Sequence, residues 1–301
     1  DFDTLFPADF ISEGIDQTRG WFYTMLVLST ILFDKAPYKN VLTFELVLDG
    51  KGEKMSKSRG NVVDVEEVLD TFGADPIRWA MYTSSTPYVP RRFSKDQLKD
   101  SLKNFIIPLL NVLSFFVTYA NIDNWKATQE ELKPEDIQSD IDRWILSKFS
   151  SLSDSIENKL DVFDVTESAR SISVFVDELT NWYIRRSRRR FWRSENDSDK
   201  ESAYKTLHYI LFELSKIIAP FTPFLADYIY QTLKSGNDNF CKDSVHLYSY
   251  PKHKQHWINL ELENTMDITK GLVNAGLRAR KISKVKVRTP FSTAYVYVPS
   301  D

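Results

Sequence analysis

With 301 residues, 42% hydrophobic and 14% aromatic, the chain can fill two cores and falls outside the disordered and fibrous classes. Its formal charge of -3 excludes a whole-chain field for nucleic acid, so any such contact has to come from a local patch. Cys241 is the sole cysteine, which excludes a disulfide framework and a Cys-cluster zinc site; His208, His246, His253 and His256 form no metal-binding pair on one helix face.

The first ninety or so residues alternate strand and helix signals, the pattern of an α/β layer whose ligands sit at the carboxyl ends of strands. Asp9 to Ser12 is a short strand. Asp16 is placed to cap a helix with apolar positions Trp21, Phe22, Met25, Leu26, Leu28, Leu32 and Phe33, ended by Pro37. Val41 to Leu48 follows as one strand and delivers the chain into a Gly-bounded loop, Asp49 to Asn61. Asp64 and Glu67 form a capping-box pattern, Gly73 suits a C-terminal cap, and Asp75-Pro76 predicts the N-cap and first position of a helix over Ile77 to Tyr82. The cluster from Ser84 to Pro90 breaks that helix and marks a domain boundary near residue 93.

From Ser94 the period becomes helical. Leu102 to Ala120, Ile141 to Leu160, Thr166 to Trp192, Ala203 to Ala219 and Phe224 to Leu233 each place apolar residues three and four apart, so an α/β part is followed by a mainly α-helical bundle. Pro108 predicts a kink. Lys234 to Gln255 is polar, with Gly236 to Asn239 as an exposed loop and His253 and His256 in a linker. A final helix runs near Trp257 to Lys281, and Tyr295 to Val298 predicts a strand. No run reaches the roughly 20 apolar residues of a membrane span. The chain opens on Asp1 rather than Met and carries no signal-like segment, so it reads as a piece of a longer, cytoplasmic protein.

Three constellations carry chemistry. The loop holds Lys51, Lys54, Lys57 and Arg59 among Gly50, Gly52 and Gly60; positive φ at the glycines allows close approach to a ligand, and the ammonium groups suit charge on a departing pyrophosphate. A solvated basic hairpin tip has the same composition. Glu13, Gly14, Asp16, Gln17 and Arg19 form a strand-to-helix turn suited to a ribose, ammonium or phosphate; alternatively Asp16 only caps and Arg19 only pairs with Glu13. Arg185, Arg186, Arg189, Arg190 and Arg193 recur three and four apart as a basic stripe, with Phe191 or Trp192 available to stack on an unpaired base. The alternative there is a solvated helix end paired to Glu178 and Glu195. Trp182 and Tyr183 suit core or hinge packing.

These residues carry a resemblance. The run Lys54, Met55, Ser56, Lys57, Ser58 resembles the KMSKS signature of class I aminoacyl-tRNA synthetases. The segment Glu13 to Phe22 resembles the adenylate-holding segment of the isoleucyl-tRNA synthetases, and Asn181 to Arg185 resembles their Asn-Trp-Tyr-x-Arg motif. The resemblance implies a partial Rossmann-type catalytic domain at 1–93, an anticodon-binding bundle at 94–255 and the start of a C-terminal junction at 256–301. It implies Lys57 and Lys54 as catalytic ATP and pyrophosphate ligands, with Met55 as packed anchor and Ser56 beside the nucleotide. Glu13, Gly14, Asp16 and Gln17 would hold the aminoacyl-adenylate, and Arg185, Arg186, Arg189 and Arg190 would contact tRNA. ATP with Mg2+, L-isoleucine and isoleucine tRNA are the implied substrates, with no resident metal and no membrane. The family's HIGH-type motif and editing region are missing from these residues, so the chain alone is expected to be inactive. A valyl-type relative and a noncatalytic tRNA-binding protein stay open as alternatives.

Overall fold

A computed structural model describes residues 2–128, 132–134, 137–193, 197–234, 241–252 and 254–297. The short helix α1 (Phe2–Leu5) leads into β1 (Ala8–Gly14), then a 3-10 turn over Ile15–Arg19, α2 (Trp21–Phe33) and β2 (Tyr38–Phe44). β1 and β2 pair in parallel with Gly14 opposite Phe44, so α2 is a crossover helix of a βαβ unit. Asp34, in the left-handed region at φ 52, ends α2 before Pro37.

The single strand expected from Val41 to Leu48 is divided. β3 (Val47–Leu48) breaks from β2 and pairs in parallel with β4 (Arg91–Arg92) in a separate sheet, after the Glu45 N–H has bonded the Pro87 carbonyl at 2.9 Å. One apolar run thus serves two partners, which alternation alone does not reveal. Between them lie the lysine loop, α3 (Val65–Phe72) and α4 (Ala74–Ser84). The Asp64 carboxylate accepts from the Glu66 and Glu67 amides, and Gly73 closes α3 at φ 80, a conformation strained for a side chain.

Asp75 does not cap its own helix. The cap position of α4 is Gly73, and the Asp75 carboxylate reaches into the bundle to accept the Leu225 N–H at 2.6 Å. Burial pushes the Asp75 carboxyl up despite that bond. Arg78 reinforces the junction by donating to the Phe221 and Pro220 carbonyls at 3.0 and 2.7 Å. A small cluster of Val68, Ala80, Phe93 and Leu98 seals this region.

The bundle begins at α5 (Lys95–Ser101), capped by a reciprocal Ser94–Gln97 box. Leu102–Ile106 winds as π-helix before α6 (Ile107–Ile122). Pro108 has no N–H to give and its ring crowds the preceding turn, and the helix widens into the π-turn just before it. α7 (Asp140–Asp161) is followed by α8 (Val165–Asp177), a second π-turn at Glu178–Ile184, and α9 (Arg185–Trp192). α10 (Ser198–Ile218), α11 (Pro223–Lys234) and α12 (Leu260–Ile282) complete it.

One core joins these helices, with Trp144, Ile145, Tyr183, Leu207, Leu214 and Tyr230 sealed from solvent. Lys95–Ile122 is, against expectation, long and apolar enough to cross a membrane by length and composition; in the fold its Leu98, Phe105, Leu109 and Val112 face the core. Residues 295–297 form no strand, and Val298 lies outside the described residues, as do Gly236 to Asn239 and His253.

Candidate functional site

Two of the three constellations follow the carboxyl ends of parallel strands. At the end of β1, Glu13 is exposed and the chain turns through Asp16 and Gln17. No side-chain cap comes from Asp16, contrary to the sequence reading. Its carboxylate accepts from the Gln17 amide at 3.3 Å and folds over Gly14, where a Cβ would meet Asp16 Oδ1 at 2.5 Å. Gln17 Oε1 accepts the Trp21 N–H at 2.7 Å and closes over Gly20 in the same way, at 2.6 Å from a notional Cβ. Gln17 thus serves the first turn of α2 in the role expected of Asp16.

The lysine loop has a fixed base and free tips. Asp49 accepts from the Lys51 and Glu53 amides at 2.9 and 2.8 Å and from the Asn61 side chain at 2.9 Å, tying the two ends of the loop together. The Asn61 bond, first among these, holds the Asp49 carboxyl below its usual range. Asn61 also donates to the Lys54 carbonyl and accepts the Ser56 N–H at 2.9 Å. Gly52 and Gly60 take positive φ, 87 and 66; Gly50 does not. Met55 packs on the Val68, Ala80, Phe93, Leu98 cluster, while Ser56 caps the 3-10 turn Lys57–Arg59. Arg59 is paired with Glu53 at 3.2 Å. Among the described residues Lys54 and Lys57 have no ion-pair partner, and both are exposed. Two ammonium groups are thus presented to solvent from a backbone already organised.

The arginine stripe divides. Arg185, Arg186, Arg189 and Arg193 are exposed, and Arg188, three residues after Arg185 but outside the expected set, is exposed with them. Arg190 does not. It is 8% exposed and grips Asp142 through two bonds of 2.7 Å, with a third contact to the Asp199 carboxylate at 2.8 Å. The Tyr183 and Ser202 hydroxyls complete the shell around Asp142 at 2.8 and 3.1 Å. Burial works against the guanidinium charge, but the Asp142 bonds outweigh it and hold the Arg190 pKa above its ordinary value. Burial, then Asp142, raises Tyr183. Arg190 therefore leaves the proposed RNA set: it lies at the edge of the stripe beside buried Ser187 and Phe191, and its long stem carries the charge inward. Phe191 is core, edge-on to Phe115 and Tyr204, so of the two rings only Trp192 is open for stacking. Glu178 pairs with Lys270 and Lys148 of other helices, not with the stripe; Glu195 lies outside the described residues.

Trp182 is held in the π-turn between Arg186, whose guanidinium lies 3.6 Å over the ring, and Met266 of α12, whose sulfur accepts the indole N–H at 3.2 Å. Residues 142–296 match the anticodon-binding domain of tRNA ligase, and residues 1–91 match tRNA synthetases class I (I, L, M and V). The chain belongs to the anticodon-binding tRNA ligase family. Its relatives include the isoleucine–tRNA ligases of Clostridium novyi, 45% identical, and of Dehalococcoides mccartyi strain 195 and Clostridium tetani, each 44% identical. The alignments cover 99% of this chain and 28–29% of those proteins, so the chain spans under a third of their length.

A crystal structure of the ternary complex of Agrobacterium radiobacter K84 agnB2 LeuRS, tRNA and LeuAMS shares the fold. Its TM-score is 0.66 at 17% identity, over 84% of this chain and 29% of that one. In the present tRNA ligase chain, no group of His, Cys, Asp and Glu among the described residues is arranged to hold a metal ion. Asp142 and Asn61, which organise the arginine helix and the lysine loop, have no local signature: each acts on residues it meets only after folding.

Proposed function

We propose that this chain works within an isoleucine–tRNA ligase, where 1–93 completes the catalytic domain, 94–255 binds the anticodon arm and 256–301 begins a junction. The observation that carries the reading is the lysine loop: exposed, unpaired Lys54 and Lys57 on a backbone fastened by Asp49 and Asn61. In the activation step an isoleucine carboxylate oxygen bonds the α-phosphorus of ATP, the α–β bridge breaks, and pyrophosphate leaves. Lys57 engages the triphosphate and Lys54 follows the charge gathering on the leaving group, with Mg2+ arriving as part of the ATP complex. Glu13, Gly14, Asp16 and Gln17 hold the adenylate at the end of β1, and a tRNA ribose hydroxyl then displaces AMP from the acyl carbon. A cytoplasmic location belongs to the same proposal, whereas a valyl-type or purely tRNA-binding role has no observation in its favour.

Binding of isoleucine tRNA by this chain, measured across a salt series, tests the RNA half of the proposal. Affinity should fall steeply with salt as phosphate contacts release counterions. Replacing Arg185, Arg186 and Arg189 by Gln should weaken it; unchanged binding would remove the stripe from the interface. ATP–pyrophosphate exchange by the chain on its own is expected to be undetectable, and robust exchange would contradict the assignment of the missing motif to other residues.

A further inference from the structure

We infer, granted the ligase reading proposed above, that Arg92 is a further phosphate ligand beside the lysine loop and holds the end of the ATP triphosphate that leaves as pyrophosphate. Arg92 lies on β4, one residue beyond the stretch that matches the class I synthetases, and belongs to none of the three constellations. β4 is fixed on either side of it by the Arg91 and Phe93 amides, which donate to the Leu46 and Leu48 carbonyls at 3.1 and 2.9 Å. Alternation along the strand then sorts the side chains. Arg91 and Phe93 turn inward, where Arg91 donates to the Met81 carbonyl at 2.8 Å and Phe93 joins the cluster that holds Met55. Arg92 turns the other way and is exposed.

That way leads to the loop. Leu48 pairs with Arg92 on one side and with Lys54 on the other. Side chains paired across strands share a face, so Lys54 and Arg92 rise from one side of this small sheet, ~10 Å apart at the backbone. The Arg92 guanidinium lies face-on against Gly52, where a Cβ would meet its Nε, Nη2 and Cζ at 3.2, 3.3 and 3.4 Å. Its long side chain is thus laid over the base of the loop rather than out into solvent.

The acids nearby are already taken. Glu53 pairs with Arg59, Glu67 with Lys95 and Asp96 with Lys99, while Asp49 is occupied by amides and by Asn61. Among the described residues Arg92 has no hydrogen-bond or ion-pair partner. A planar guanidinium with free donors can grip two phosphate oxygens at once, which neither loop lysine can do. Position along the chain selects the phosphates. Phe44 faces Gly14 at the adenylate turn, and Leu48, which faces Arg92, lies four residues on, about 13 Å along an extended strand. Arg92 therefore stands away from the adenylate and on the side of the leaving group.

In the full-length ligase that carries this chain, Arg92→Gln is compared with wild type and with Arg92→Lys in isoleucine-dependent ATP–pyrophosphate exchange. The KM for pyrophosphate should rise roughly 10-fold, the loss expected for one charge-assisted contact, with the KM for isoleucine and the unfolding midpoint unchanged. Arg92→Lys should recover part of that loss, because the charge returns without the planar fork. An unchanged pyrophosphate KM in Arg92→Gln, with Lys57→Ala defective, overturns this inference and leaves the ligase reading intact. A wild-type enzyme with no isoleucine-dependent exchange overturns both. A rise in the isoleucine KM together with a lowered midpoint, not relieved by Lys, makes Arg92 a prop for the loop and overturns the inference. So does a change confined to the KM for tRNA.

Discussion

The lysine loop and the arginine helix are both short basic runs, yet folding treats them in opposite ways. In the loop the anchoring is done by neutral and acidic groups, Asp49 and Asn61, and the cations Lys54 and Lys57 stay free. In the helix one cation is itself the anchor, with Arg190 sealed against Asp142 so that Arg185, Arg186, Arg188 and Arg189 face outward. A ligand that arrives and leaves on each turnover needs ammonium groups with no competing partner. A helix that presents charge along one side needs its roll fixed.

The largest expected effect separates these two designs by stability. Asp142→Ala removes both carboxylate bonds that Asp142 gives the buried Arg190 charge, leaving it only Asp199, and should cost about 3 kcal/mol in urea unfolding of the chain. Lys57→Ala should stay within about 0.5 kcal/mol, since it removes an exposed side chain without a structural partner. Equal losses from the two would erase the distinction.

Acid sharpens the contrast next. Burial lowers the His208 pKa in the bundle from 6.5 to about 4, so below about pH 6.5 the unfolded chain binds a proton that the folded chain refuses. Stability should therefore fall as pH drops from 6.5 toward 4, by a loss on the order of 2 to 3 kcal/mol, and His208→Gln should flatten that part of the profile. A pH profile identical to wild type in that variant would place the loss elsewhere. The loop responds in the same sense but at lower pH: with the Asp49 carboxyl held below its usual range, first by the Asn61 bond, the stabilisation from its bonds is lost only as pH falls below the ordinary carboxylate range.

A smaller effect tests the loop's own anchor. Asn61→Ala removes the donor to Asp49 and the acceptor for the Ser56 N–H, a loss of about 1 kcal/mol confined to the loop. Amide exchange should quicken at Ser56 while the Tyr183 amide of the bundle is unaffected. Exchange unchanged at Ser56 would mean that the Gly-bounded backbone holds its shape without the anchor.

Much of the fold was legible because it is periodic. The long helices follow from apolar residues three and four apart, and the Asp64 cap and Gly73 stop follow from side-chain chemistry acting within one turn. Legibility ended where a residue acts on a distant partner. Asp75 had the sequence of a local cap, but the start of α11 lies within reach and takes its carboxylate. Asp16 looked like the cap of α2, whereas Gln17 accepts the Trp21 N–H. The run from Val41 to Leu48 looked like one strand because β propensity does not record which neighbour each residue pairs with.

By itself the sequence determined residue chemistry and local phase: a Gly-flanked loop with two lysines, an arginine-rich helix side, and a strand-to-helix turn built of Glu, Gly, Asp and Gln. Those are properties of neighbours along the chain, fixed by backbone geometry over one or two turns. The tertiary structure alone decided which of the charges are available. Arg190 and Arg189 are adjacent and chemically identical, and only packing against α7 puts Asp142 beside one and solvent beside the other. A guanidinium leaves water only where a carboxylate and further polar partners wait for it, and that condition is met by residues brought together through folding.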